Sequence, residues 1–394
     1  LFENHVAGQS ITLKANPTYW GGEPSIQTII IEIIPSVGTT LEDLQQGSVQ
    51  YVNTFDNPVD FSQVPPLVGT DNIEISHPTG GVITTVLFNT NATPFNNPLV
   101  REAFAYGINR TQLADKAYFD YASAMYGFYL TGPWFNSSAQ IPYDPAKAEA
   151  LLTQAGYAPA PNGTRMTIGL DYAPLFGMDV ESTILQQQLS AIGVHVILWS
   201  ADYATWFNQV QVLGDYQMAV RACQIGPDPT LYWQWLNPVH EGESGSTYFN
   251  NTTMVNLFNA AAMITNFTQR QADYNAIQGI LAAQVPIIPL TNIQDVNMWR
   301  SDMVTGLGPQ IGTTRWDLSH ASLVGGSTSS TTPLSTYEII AIAGAIVIVA
   351  AVLSVVWNNR RKKEREAKDA AEDMSAAGTG SGSSEPQVAP KPPT

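Results

Sequence analysis

The chain has 394 residues, 44% of them hydrophobic and 10% aromatic, enough material for two sizeable cores. Charged residues make up only 13%, and a net charge of -16 excludes nucleic acid as a natural partner, because phosphate binding needs clustered Lys and Arg. The single cysteine, Cys223, excludes an internal disulfide and a cysteine-rich zinc site. His5, His77, His195, His240 and His320 show no metal-ligand spacing, so neither a metal nor a cofactor is expected.

Ile11 to Lys14 and Ile26 to Ile34 are rich in β-branched residues and predict strands, separated by the Pro/Gly-punctuated loop NPTYWGGEP. A helix over Thr40 to Gln46 stops at Gly47, and Val82 to Phe88 predicts an apolar strand. Asn97 and Pro98 supply the N-cap and first turn of a helix running to about Asn109. Asp144-Pro145 repeats that start signal, with Gly156 closing the helix. Met166 to Tyr172 alternates like a strand. Val180, Ile184, Leu185, Leu189 and Ile192 form the apolar stripe of a helix that Gly193 ends, and Val194 to Trp199 follows as a strand. Thr268 and Gln271 make a capping box for a helix to about Gln284, and Pro286 and Pro289 frame a last short strand. This alternation predicts an α/β fold, with Trp199, Trp206, Tyr232, Trp233 and Trp235 in its core.

From Ile339 to Trp357 the chain reads IIAIAGAIVIVAAVLSVVW, nineteen residues without a charge. At about 1.5 Å per residue such a helix spans roughly 30 Å, the thickness of a bilayer's hydrocarbon core. Arg360, Arg361, Lys362, Lys363 and Arg365 follow it, whereas Glu338 precedes it. The positive-inside rule therefore puts the tail in the cytoplasm and the bulk of the chain outside the cell membrane. Gly325 to Thr336, GGSTSSTTPLST, reads as a flexible stalk suited to O-glycosylation, and the end of the tail cannot build a core. N-x-[ST] sequons at Asn91, Asn109, Asn136, Asn162, Asn250, Asn251 and Asn266 all fall on the outer side and are candidate glycosylation sites.

Five segments, in order, resemble a known family. They are ITLKANPTYWGGEPSIQTI (11 to 29), NPLVREAFAYGINRTQL (97 to 113), YDPAKAEALLTQAGY (143 to 157), VESTILQQQLSAIGVHVIL (180 to 198), and GDYQMAV followed by GPDP (214 to 229). Over residues 8 to 320 the chain is similar to the peptide- and oligopeptide-binding proteins of ABC importers, solute-binding family 5. The resemblance implies a two-lobed, periplasmic-binding-protein-like fold (type II) and a binding protein, not an enzyme. It implies that residues 1–87 belong to lobe I, 88–298 to lobe II and 299–322 to lobe I again, followed by a stalk (323–336), a transmembrane helix (337–358) and a disordered tail (359–394). It also implies a further lobe I segment before residue 1. The implied partners are a peptide or related small-molecule ligand, oligosaccharides included, and the permease and ATPase subunits of the importer. A C-terminal span with a Ser/Thr stalk resembles archaeal surface binding proteins. Few basic residues and abundant Asn, Gln and Thr suggest an acidic habitat, where protonated carboxylates relieve the self-repulsion of a -16 chain.

The resemblance also directs attention to the loop at 221 to 229. Peptide-binding members carry Trp-x-x-Asp before its Asp-Pro, the Asp pairing with the peptide ammonium. Here neither residue is present, and Arg221 suits a carboxylate or a sugar hydroxyl instead. Candidate ligand-binding residues are Arg221, Cys223, Gln224, Asp228, Trp134 and Asn89. Each has a plainer reading beside it: Cys223 as a small buried hydrophobe, Asp228 as a turn-former before Pro229, Trp134 as a loop pin. HExxH, GxSxG and GxxxxGK are all missing, which weighs against a membrane-anchored hydrolase. A sensor signalling through the single span is the other alternative, and the short tail offers it no signalling domain.

Overall fold

The computed structural model describes residues 1–54, 60–78, 82–224, 228–230, 247–307, 318 and 321–325. The expected membrane span, the cytoplasmic tail, most of the stalk, and Tyr232, Trp233 and Trp235 lie outside the described residues. No helix among the described residues is long and apolar enough to cross a membrane.

Strand β6 (Val82–Phe88) is buried along its whole length, as an uninterrupted apolar and threonine run predicts for a central strand. It stands in a six-stranded sheet of order β7-β11-β6-β10-β8-β9. The other members are β7 (Ala122–Ala124), β8 (Met166–Tyr172), β9 (Val194–Ser200), β10 (Met218–Gln224) and β11 (Ile287–Ile293). β6 pairs antiparallel with β10 and β11, whereas β8 runs parallel to both β9 and β10. A smaller sheet joins β4 (Tyr51–Asn53), β12 (Asn297–Arg300) and β5 (Ile73–Ser76), with β12 in the middle. The chain therefore passes twice between these sheets, from β5 into β6 and from β11 into β12. Near the passages, Phe61 packs edge-on against Tyr118 with ring centroids 5.3 Å apart, and the Gln294 amide donates to Tyr121 O at 2.8 Å. A third, exposed sheet holds β1 (Phe2–Val6), β2 (Ser10–Lys14) and β3 (Thr28–Glu32).

Side-chain alternation gives the large sheet two buried faces. Val82, Val86, Phe88, Met218 and Val220 pack with α2 (Pro98–Gly107), α3 (Arg110–Tyr118), α4 (Pro145–Gln154) and α5 (Met178–Ala191). Ile83, Leu87, Ala219 and Cys223 pack with α6 (Tyr203–Phe207), the π-helical turn Asn208–Leu213, α7 (Thr252–Met263) and α8 (Phe267–Gln284). In the first core Phe88, Phe95 and Phe104 touch mutually at centroid distances of 4.5 to 5.8 Å. Each such aromatic pair adds about 0.5–1.5 kcal/mol beyond burial alone.

Two buried arginines explain why NPLVREAFAYGINRTQL folds as it does. Asn97 Oδ1 caps α2 by accepting from the Leu99 amide, and Pro98 occupies the first turn. α2 stops at Gly107, close to the expected end at about Asn109, and a second helix, α3, then starts with Asn109 as its N-cap. Arg110 donates to the carbonyls of Ala105, Ile108, Ile141 and Pro289, filling the acceptors that a helix end leaves bare. Arg101 does the same for Phe95, Gln284 and Val285 at the end of α8. Burial lowers both guanidinium pKa values to about 10, which leaves them charged at any physiological pH.

Three expectations need correction. α8 is capped by Asn266, whose Oδ1 accepts from the Gln269 amide, so Thr268 is not its cap. Val180 is 38% exposed, and Glu181 takes the inward position beside Ile184 and Leu185. Trp199 is 60% exposed, because β9 is an edge strand; Trp206 is buried, as expected.

Candidate functional site

Arg221 stands on β10, paired with Thr85 of β6, and shares a sheet face with Ala219 and Cys223. It is the middle residue of that strand, three positions from either end. Its side chain is buried, with a contact of 3.4 Å from Nη1 to Gln211 Oε1 of the π-helical turn. Desolvation lowers its pKa, and Cys223, Tyr203 and Tyr216 are among the titratable groups near it. Cys223 is buried too, and burial pushes its thiol up to about 11, so it is a neutral, inert side chain at neutral pH. Gln224 ends β10, and its side chain lies outside the described residues.

Asp228 is held by Arg270, which is not among the sequence candidates. Arg270 of α8 grips both carboxylate oxygens at 2.7 Å and reaches Thr230 Oγ1 at 2.8 Å. The guanidinium also lies over the rings of Trp134 and Tyr274, at 5.5 and 5.4 Å from their centroids. The Arg270 hydrogen bonds hold the Asp228 carboxyl down at about pKa 2. Trp134 is itself buried among Phe267 and Tyr274. Asp228 and Trp134 thus belong to one knot that fixes the segment after β10 against α8. The legible signal was Arg270 with Tyr274, a basic and an aromatic residue at i and i+4 in a chain with 17 basic residues.

Asn89 sits at the far end of β6 and ties loops together. Its Nδ2 donates to Gly214 O and Tyr216 O, and its Oδ1 accepts from the Asn91 amide. Several sequon asparagines do similar local work: Asn109, Asn136, Asn251 and Asn266 are helix N-caps, and Asn162 Oδ1 accepts from the Thr164 amide. Asn91, Asn162, Asn250 and Asn266 are exposed. A cavity of about 430 Å³ lies away from Arg221, between β3 and β4, lined mostly by aliphatic side chains such as Ile29, Ile31 and Val52. Its lining carries one carboxylate, Glu32, and no basic residue, with Thr28, Thr40, Ser48, Gln50, Tyr51 and Asn53 as its neutral polar side chains. Among the described residues no group of His, Cys, Asp and Glu could hold a metal ion.

The sequence model of the bacterial extracellular solute-binding proteins, family 5 Middle, matches residues 1–243. The chain belongs to this family. Among curated family 5 relatives, the glutathione-binding protein GsiB of Salmonella typhimurium is 30% identical over 290 residues, covering 71% of this chain and 55% of its own. GsiB of Escherichia coli is 29% identical over the same length. The chain spans about half the length of the curated relatives it matches. The fold is that of the periplasmic binding protein DppA from Helicobacter pylori in complex with the peptide STSA (TM-score 0.70, 23% identity, 82% of this chain and 62% of that one). It is equally that of the oligopeptide-binding protein AppA from Bacillus subtilis in complex with a nonapeptide (TM-score 0.69, 17% identity, 82% and 65%).

Proposed function

We propose that the protein is the solute receptor of an ABC importer, capturing small carboxylate-bearing solutes, peptides among them, and handing them to a permease and its ATPase. Arg221 carries this reading. A buried guanidinium in the middle of a central strand has the geometry to donate two parallel hydrogen bonds to a carboxylate. Structural neighbours support this: a dipeptide-binding protein in complex with Met-Leu and a binding protein in complex with agropinic acid both hold acids. Capture of this kind needs shape and a few polar groups, not a nucleophile, so the protein works as a carrier and not as an enzyme.

In this reading residues 1–87 and 299–322 form one lobe and 88–298 the other, and β6 and β11 are the strands about which they close. Contacts made only in the closed form shift the population toward closure, which is the state a permease reads. The apolar segment 339–357 and its basic flank tether the receptor with its binding domain outside the cell. The exposed sequons Asn91, Asn162, Asn250 and Asn266 are the positions open to glycans. Native mass spectrometry of the protein purified from its own cells tests the reading. A co-purified peptide or amino-acid derivative with a free carboxylate supports it, and a neutral oligosaccharide moves the specificity to sugars. Turnover of an added solute overturns the carrier role itself.

A further inference from the structure

Glu181 is fully buried in the first turn of α5, against the two strands that carry the chain between its sheets. Its Oε1 accepts from Thr84 Oγ1 of β6 at 2.7 Å, and that hydroxyl meets Thr291 Oγ1 of β11 at 2.7 Å. The Tyr118 phenol, from α3, faces the same carboxyl. Neither the Tyr118 hydroxyl nor Glu181 Oε2 completes a hydrogen bond of ordinary geometry. Tyr118 is also the residue whose ring meets Phe61 from the smaller sheet's side of the molecule. The approach is tight: a Cβ on Gly177, at φ +77, would sit 3.2 Å from Tyr118 Cε1.

The groups facing Glu181 are Thr84 from β6, Thr291 from β11 and the Tyr118 phenol from α3. Among the described residues no Arg, Lys or His does so. An ionised carboxylate here has hydroxyl donors but no countercharge, and burial penalises it. A protonated carboxyl has no such penalty and its O–H can donate to the Tyr118 oxygen; the Thr84, Tyr118 and Thr291 hydroxyls favour the ionised form, and burial outweighs them. Burial accordingly pushes Glu181 up to about 7.

We infer that Glu181 is a proton-operated latch on the crossing strands: protonated, it ties β6, β11 and α3 together, and ionised, it loosens them and the Tyr118–Phe61 contact between the sheets. The latch is a property of the fold and does not depend on which solute is carried. Because the folded-state pKa is raised, its stabilisation is complete below the unfolded value near 4.5 and is lost as pH rises through about 7.

Urea denaturation of the whole protein and of Glu181→Gln, from pH 5 to 8.5, tests this, since the amide keeps the shape and cannot ionise. The wild-type unfolding constant should rise on the order of a hundredfold relative to the variant over that interval, one factor of ten per pH unit between the two pKa values. Parallel curves for the two proteins would overturn the proposal. Hydrogen exchange on the wild type alone reads the same latch without a variant. Corrected for intrinsic rates, the amides of Thr84 and Thr85 in β6 and Thr291 and Asn292 in β11 should lose protection as pH rises from 5 to 7 and level off above it. Unchanged protection there contradicts it.

Discussion

Arg110 and Arg221 are both buried guanidiniums, placed in regions that use them differently. At the α2–α3 junction Arg110 fans out to four backbone carbonyls, so its fork is a brace for the ends of several elements. On β10 Arg221 reaches a side-chain amide, Gln211 Oε1, and lies near Cys223, Tyr203 and Tyr216. Burial lowers the pKa of each. The contrast teaches that a buried cation alone does not mark a binding site; what it faces does. A guanidinium facing backbone carbonyls holds the fold, and one set among side chains on a central strand is the candidate for an anionic solute.

Replacing each arginine breaks the comparison most sharply. Arg110→Leu should destabilise the protein by at least about 3 kcal/mol in urea denaturation, because buried carbonyls lose their donors together. Lys should rescue little of this, since one ammonium cannot reproduce the fork. Arg221→Gln should instead cost about 10- to 100-fold in affinity for a carboxylate solute, the worth of a charge-assisted hydrogen bond. If the two variants lose stability equally and Arg221→Gln binds normally, the distinction fails.

Arg270 sharpens the picture at the segment after β10. Its pair with Asp228 is partly exposed, so Arg270→Gln should cost only about 1 kcal/mol at pH 7. Because the folded Asp228 pKa is depressed to about 2, that contribution is present above the unfolded value near 3.8 and is lost as pH falls through 2. Variant and wild type should therefore converge toward pH 2 in thermal melts. The smallest effect belongs to the α8 cap: Asn266→Ala should cost about 0.5–1 kcal/mol, while Thr268→Ala should leave stability unchanged.

The α/β alternation was readable because its period and caps are local. Val82–Phe88 and Met166–Tyr172 are strands over the full range the sequence predicts, and Asn97 and Asp144 each cap a helix as expected, whereas the helix expected from Thr40 starts at Val37 on the cap Ser36. Sheet order was not readable, since β12 enters between β4 and β5 from more than two hundred residues away. Trp199 shows the same limit, because exposure of an edge strand depends on which neighbours the chain brings to it. At the candidate site Arg221 stood out as a rare basic residue, but Arg270 as the holder of Asp228 depends on a contact across 42 residues. Glu181 was partly legible: it lies three and four residues before Ile184 and Leu185, on the same helical stripe, and its polarity hid it.

Isothermal titration calorimetry with glutathione and Met-Leu, each compared with its amidated form, tests the central claim most directly. The free acids should bind and the amides bind at least about tenfold more weakly, with Arg221→Gln erasing the difference. Equal binding of acid and amide, or binding of neither acid, would contradict a receptor built to hold a carboxylate at Arg221.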